Sequence, residues 1–444
     1  MNPTTADSPA GFRLPHLCLP RPGIDLSTWA VVACDQYTAQ PEVWERIARQ
    51  VGDAPSTLHL IFPEVHLGKA DAAERIARIQ QTMRRYLASG LLRDHAGAVL
   101  VERTLDDAGR RVRRGLMLEL DLEHYDFRPG STSLVRPTEG TIVERLAPRI
   151  EVRRGAELEL PHILVLIDDP GCSVIEPLAA RRPALRTLYD SGLMLGGGRV
   201  AGHAVEAAAA ADAVAALRAL AGPAAFEARY GVPPGTPPML FAVGDGNHSL
   251  ATAKSIWEQL RGSVGPDHPA RWALVEVENI HDPALAFEPI HRLLFGVRAD
   301  LRVALAEALG PRLRCTDVPS AEAMRERVRH AGAAVQAVGL VGPGERFGVL
   351  EIADPPSALA VGTLQPLLDA FVARGDAAQI DYVHGDEVLE RLATREGQVG
   401  VHLPPIDRGG LLRRVVHEGP LPRKTFSMGE AHEKRFYVEA RRIR

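Results

Sequence analysis

Four short apolar runs punctuate the chain: Trp29–Cys34 (WAVVAC), His162–Ile167 (HILVLI), Met239–Val243 (MLFAV) and Trp272–Val277 (WALVEV). Each is far below the ~18 apolar residues of a membrane span. The first three stop at Asp or Gly, and a short apolar run bounded by turn residues reads as a buried strand. Amphipathic stretches lie between them. Pro41 suits the first turn of a helix carrying Val43, Trp44 and Ile47, and Ala70–Leu87 sets Ile76, Ile79, Met83 and Leu87 on one helical face. Glu206–Leu220 and Leu250–Leu260 read as helices. Ser56–Phe62 reads as a strand. Residues 98–104 and 113–120 read as an antiparallel pair turned at Asp106–Gly109, and 193–200 as a hairpin. After residue 300, helical and strand patterns alternate to the end. The class is α/β or mixed α+β.

Composition removes several functions. With 444 residues, two or three packed units are expected. Lys and Arg number 52 against 56 Asp and Glu, a net charge of −4. A polyanion-binding chain needs a basic excess, and aromatics at 5% are too few for stacking platforms. Both facts, with no helix-turn-helix signal, argue against direct nucleic-acid binding. The four cysteines, Cys18, Cys34, Cys172 and Cys315, form no C-x-x-C pair. Without a leader pattern at the N-terminus, the reading is a reducing, cytoplasmic chain with no membrane partner. Only four lysines occur: Lys69, Lys254, Lys424 and Lys434. In so Arg-biased a chain, a lysine inside a motif invites a specific role, because an ammonium is a compact point charge that Arg does not duplicate.

The strongest local signal is the junction Val243–Lys254, where a strand runs through GDGNHS into a helix. The first-turn N–H groups of a helix are unpaired and carry partial positive charge, so anions bind there. Gly244 and Gly246 allow tight backbone. Asp245 could hold a metal or a substrate group, and Asn247, His248 and Ser249 could donate to phosphate oxygens. Lys254 lies seven residues past Asn247, within reach of a phosphate. The alternative is a plain turn capped by Asn247 or Ser249. RPTEGTIVERLAPR at 136–149 concentrates charge. Glu139 there could act as a general base on a hydroxyl, and Arg136, Arg145 and Arg149 suit phosphate or carboxylate; a solvated helix start is the alternative. Arg292 in PIHR follows a strand, with a surface His-Arg pair as its alternative. LGGGR at 195–199 lacks the Lys-Ser/Thr of a P-loop, and no metal-ligand histidine spacing appears.

Several strings taken together, WAVVACDQYTAQPEVW, TEGTIVERLAPR, ELPHILVLIDDP, GDGNHSLATAKSIWE, NIHDPALAFEPIHR and PRKTFSMGEA, resemble the domain-of-unknown-function family 1015. The usual central motif of that family, Asp-Gly-His-His-Arg, resembles the phosphate motif of free serine kinases, which share a ParB-like fold. Asp245, Gly246 and His248 match the motif. Asn247 replaces its first His and Ser249 its Arg. Glu139 resembles the base glutamate of those kinases, with Thr138 where a His stands. Lys254 or Arg292 would supply the missing cation.

The resemblance implies a ParB/serine-kinase-like core with additional α/β segments. The regions would be residues 1–130, a core at 131–300 and a third at 301–444. It implies a kinase moving phosphate from ATP, ADP or another donor to a small hydroxyl compound such as L-serine. Mg²⁺ would sit on Asp245, since a metal offsets phosphate charge. Glu139, Asp245 and His248 would be catalytic; Gly244, Gly246, Asn247, Ser249, Lys254, Arg145, Arg149 and Arg292 would bind phosphate or nucleotide. Two alternatives stand beside it: a non-catalytic ParB-like nucleotide-binding regulator, and an inactive structural homologue. A homo-oligomer stays open.

Overall fold

The computed structural model describes residues 11–38, 40–105, 109–331, 335–406, 408–422 and 424–444. The chain is mixed α+β. It divides into two compact units: residues 1–285 with 415–420 and 429–444, and residues 286–414 with 421–428. The Pro/Gly stretch at 231–238 thus lies inside the first unit. Among the described residues, no single helix is long and apolar enough to cross a membrane.

The first unit is built on a nine-stranded mixed sheet. Its strands are β1 (Phe12–Arg13), β2 (Val99–Thr104), β3 (Val112–Asp121), β4 (Val135–Pro137), β5 (Leu164–Ile167), β6 (Arg186–Gly192), β7 (Arg199–Ala204), β8 (Phe241–Asp245) and β9 (Trp272–Asn279). Their order is β6-β7-β2-β3-β9-β5-β8-β4, with β1 added to β3. β9 pairs antiparallel with β3 and parallel with β5; β8 pairs antiparallel with β5 and parallel with β4. Side chains alternate across a strand, so the sheet feeds two cores. Leu100, Leu118, Val165, Phe241 and Val275 pack on the face that receives Leu217, Leu250 and Trp257. Val99, Val101, Met117 and Leu274 pack on the other, against Ile47, Trp44 and Tyr437.

Most sequence expectations hold as elements. The helices are Pro41–Val51, Ala72–Ala88, Ala207–Leu220 and Asn247–Leu260, and the 193–200 hairpin joins β6 to β7. The turn expected at Asp106–Gly109 falls mostly outside the described residues. Two expectations need correction. Trp29–Cys34 contributes only the strand Val31–Val32, because Asp25 caps a short helix, Leu26–Trp29, through the Ser27 N–H. Ser56–Phe62 is not a strand: Thr57–Leu60 forms a 3₁₀ turn. The Ser56 hydroxyl accepts from the Leu58 N–H, and both it and the Thr57 hydroxyl donate to the Trp29 carbonyl. Such local side-chain bonds compete with a strand ladder.

The second unit holds a seven-stranded antiparallel sheet. Its strands are β10 (Phe287–Phe295), β11 (Leu313–Val318), β12 (Val335–Gly342), β13 (Arg346–Ala353), β14 (Gln379–His384), β15 (Gln398–His402) and β16 (Phe426–Met428), ordered β11-β13-β12-β15-β10-β14 with β16 on β10. Helices Ala321–Arg329 and Asp386–Ala393 pack Met324, Val328 and Leu389 against Leu293 and Val349.

The C-terminal segment stitches the first unit together. Phe436–Tyr437 pairs with Val31–Val32, and Arg441–Arg442 pairs with Leu158–Glu159. Arg435 pairs with Glu276 and Glu439, while Arg441 reaches Glu159 at 2.6 Å and Glu119 at 3.5 Å; all are buried. Removing one partner of a buried pair strands an uncompensated charge. Arg435→Met is therefore expected to lower unfolding stability by about 3–5 kcal/mol. Urea denaturation would measure it, and a loss below that of an ordinary surface substitution would show that the pairs are solvated.

Candidate active site

β4 and β8 run parallel, with Pro137 opposite Val243. The Thr138 hydroxyl donates to the Val243 carbonyl at 2.6 Å and ties the two exits together. Glu139 and Asp245 each stand two residues past the Pro137–Val243 pair, at the carboxyl ends of β4 and β8, where Asp245 is the last residue of β8. Ligands of open α/β sheets bind in such crevices. Gly246 then takes a left-handed conformation (φ +79°), and a Cβ there would meet the Ile163 Cα at 3.0 Å. Only glycine satisfies both demands. The helix Asn247–Leu260 starts at once, and no side chain caps it. Its first-turn N–H groups are unused by the helix itself.

Around this turn the polar groups are closely linked. Asp245 Oδ2 lies 3.0 Å from Lys434 Nζ, and Oδ1 accepts the Gly246 N–H at 2.9 Å. His248 Nε2 accepts the Ile142 N–H at 3.4 Å, which folds the 138–142 loop over the helix start. Ser249 Oγ and His162 Nε2 are 2.8 Å apart; His162 Nδ1 lies 2.7 Å from the Tyr437 hydroxyl, which accepts the Cys34 N–H at 3.1 Å. Burial pushes the Asp35 carboxyl up, yet His162, Gln36 and Lys434 outweigh it and hold it below its ordinary value. Asn247 Nδ2 donates to the Val243 carbonyl, while its Oδ1 is buried without a hydrogen-bond donor.

The remaining candidates divide. Arg149 sits beside this cluster, gripping Glu64 with two bonds of 2.7 and 2.6 Å and the Arg145 carbonyl with a third. Arg145 itself is exposed. Lys254 bonds the Leu122 carbonyl at 2.8 Å and Glu258 at 2.6 Å, so its ammonium is spent along the helix. Arg136 is likewise taken by the Ser133 and Pro237 carbonyls. Arg292 is buried in the second unit, bonded to Gln365 and the Ile290 and Lys424 carbonyls. Neither Lys254 nor Arg292 is kept as a phosphate ligand.

Sequence reasoning missed the role of Lys434, His162 and Tyr437. The rarity of lysine was the signal for the first. For the other two, partners up to 403 residues apart left no local pattern.

The family described as "Protein of unknown function (DUF1015)" matches residues 18–371. The chain belongs to this family. No protein of curated function matches it. Among solved structures, a free serine kinase in complex with AMP is 13% identical, covering 72% of this chain and 90% of that one, with a TM-score of 0.37. A conserved hypothetical protein from Pyrococcus furiosus is 12% identical, covering 72% and 93%, with a TM-score of 0.36. SbnI with a C-terminal truncation, from Staphylococcus aureus, is 12% identical, covering 70% and 84%, with a TM-score of 0.33. The functional reading of this DUF1015 chain rests on its own residues.

Mg²⁺ on Asp245 does not fit. Asp245 Oδ2 already faces a buried ammonium at 3.0 Å, and a divalent cation on the same oxygen would be repelled by it. The charge partner expected of a metal is Lys434. In the second unit, His291, Asp386 and His402 bring ligand atoms within 4.8 Å of one another. However, His291 Nδ1 accepts the Leu403 N–H at 3.0 Å, which leaves its proton on Nε2, donated to Asp386 Oδ1 at 2.9 Å. A metal-binding histidine needs that nitrogen bare. The bond from His291 and the close approach of His402 at 3.1 Å hold the Asp386 carboxyl well below its usual range.

Two outcomes follow from the charges. Asp245→Asn removes the counter-charge of Lys434, and calorimetry should record a loss of roughly 1.5–3 kcal/mol. An unchanged melting temperature would reduce Asp245 to a turn residue. Burial raises Glu278 from its ordinary 4.5 to about 7, with Arg113 opposing and Asp282 and Asp245 adding to the rise. A raised folded-state value favours the protonated form, so this contribution is complete below pH 4.5 and lost as pH rises through about 7. Glu278→Gln should therefore flatten the fall in melting temperature across that window. A mutant curve parallel to the wild type would show that Glu278 is ionised throughout.

Proposed function

We propose that the first unit is a phosphotransferase. It takes phosphate from a nucleotide, ATP or ADP, or a similar donor, and passes it to a small hydroxyl compound. The observation that carries this reading is the parallel register of β4 and β8, which sets Glu139 and Asp245 at one sheet end beside an uncapped helix start. The N–H groups of Asn247, His248 and Ser249 suit the donor's phosphate oxygens. Lys434 neutralises Asp245, so that carboxylate does not repel the phosphate. The orphaned Asn247 Oδ1 offers an acceptor for a ligand hydroxyl or amine.

In this reading the acceptor hydroxyl gives its proton to Glu139 as its oxygen attacks phosphorus. The bond from phosphorus to the donor's bridging oxygen breaks, and that oxygen leaves with the electron pair. Positioning and electrostatics supply most of the acceleration in such transfers. Asp245 and His248 orient the groups, and Arg149 and Arg145 line the approach.

The test is product formation from a panel of nucleotide donors and hydroxyl acceptors. Glu139→Gln keeps the shape and removes the base, and should lower kcat by about 10²–10⁴-fold with an unchanged melting temperature. Turnover equal to wild type would remove Glu139 from the chemistry. Absence of turnover and of nucleotide binding in the wild type would sink the whole reading.

A further inference from the structure

Behind the helix start lies a cavity of about 150 Å³. Most of its wall is apolar: Leu60, Phe62, Met83, Val152, Ile163 and Leu274 are among the side chains that line it. The space is partly open to solvent, and its volume matches that of a cavity that accepts a benzene-sized guest. Ser249, His162, Tyr437 and the Arg149–Glu64 pair also face it. These polar groups form one linked cluster. Ser249 bonds His162, His162 bonds Tyr437, Tyr437 takes the Cys34 N–H, and the Cys34 carbonyl accepts the Glu64 N–H at 2.8 Å. Ser249 also belongs to the first turn of the Asn247–Leu260 helix, so the cavity shares that residue with the candidate phosphate site.

We infer that this cavity is a binding site for a small amphiphile, an alcohol or hydroxy acid whose apolar group is the size of a benzene ring. The ring fills the apolar end and the hydroxyl meets Ser249 and His162. The inference deepens the phosphotransferase reading by naming the acceptor class, and it rests on that reading only for the acceptor's fate. It also departs from L-serine, which offers no apolar arm and would leave the apolar end of the space unfilled.

Binding is measured on the full chain without any phosphate donor, by calorimetry and thermal shift. Benzyl alcohol, toluene and L-serine serve as probes. Benzyl alcohol should bind saturably and roughly tenfold more tightly than toluene, a ratio that one hydrogen bond can supply. L-serine should bind more weakly than either at this site. Ala156→Leu and Val152→Phe each push side-chain volume into the cavity and should weaken benzyl alcohol by about tenfold or more. Two variants are used so that misfolding of one leaves the other decisive. Ser249→Ala should erase the advantage of benzyl alcohol over toluene and leave toluene binding unchanged. The inference is overturned if benzyl alcohol fails to saturate, or binds equally well to both folded filling variants. Saturable binding with no phosphate transfer from any donor would keep the pocket and discard the transferase.

Discussion

Everything in the first unit depends on neutralising a buried acidic strand. All eight residues of β9 are buried, and two of them are Glu276 and Glu278. An isolated carboxylate in such a place costs many kcal/mol, so it must be paired or protonated. Arg435 meets Glu276, Arg113 lies 2.7 Å from Glu278, and Arg441 joins Glu119 of β3 to Glu159 of the short strand that it pairs with. Most of these cations come from the last sixteen residues. The C-terminal segment is therefore the counter-charge that lets the centre of the sheet exist. Pairs of this kind add little net stability over apolar packing, but breaking one is expensive. They fix where the segment lies, and hence where Lys434 and Tyr437 enter the site.

The site inherits its order from that constraint. Lys434 precedes Arg435, so anchoring the guanidinium on Glu276 brings the ammonium to Asp245. Tyr437 follows two residues later and reaches His162, which holds Ser249 at the start of the helix. The carboxylate of Asp245 is thus balanced from within the chain. That balance changes the chemistry a metal would otherwise have to supply, and it leaves the helix N–H groups as the main attraction for an anion.

The strand–turn–helix unit was legible because both periodicities are strong there. Met239–Val243 is a short apolar run, and Leu250, Ala253, Trp257 and Leu260 keep helical spacing. The structure gives Phe241–Asp245 and Asn247–Leu260. Ser56–Phe62 failed because Ser56 and Thr57 bond the Trp29 carbonyl, a contact 27 and 28 residues away that no local window contains. The expectation that Glu139 and Asp245 approach one cleft came from resemblance to a family motif, and the structure shows both following paired strands at Pro137 and Val243. That pairing runs through a three-residue strand, Val135–Pro137, too short to announce a parallel partner more than a hundred residues away. Lys254 looked right by spacing, yet the Leu122 carbonyl and Glu258 claim it. Lys434 was visible as a rare lysine, while its partner, 189 residues earlier, was not.

The central claim is that a phosphate-bearing ligand docks at the carboxyl end of β4 and β8, on the first turn of the Asn247–Leu260 helix. Hydrogen exchange of the full chain, followed by mass spectrometry with and without ADP, tests it most directly. The account predicts slowed exchange in peptides covering 138–142 and 246–250, with the second unit's sheet unchanged. Protection confined to other peptides, or none at saturating ADP, would contradict it.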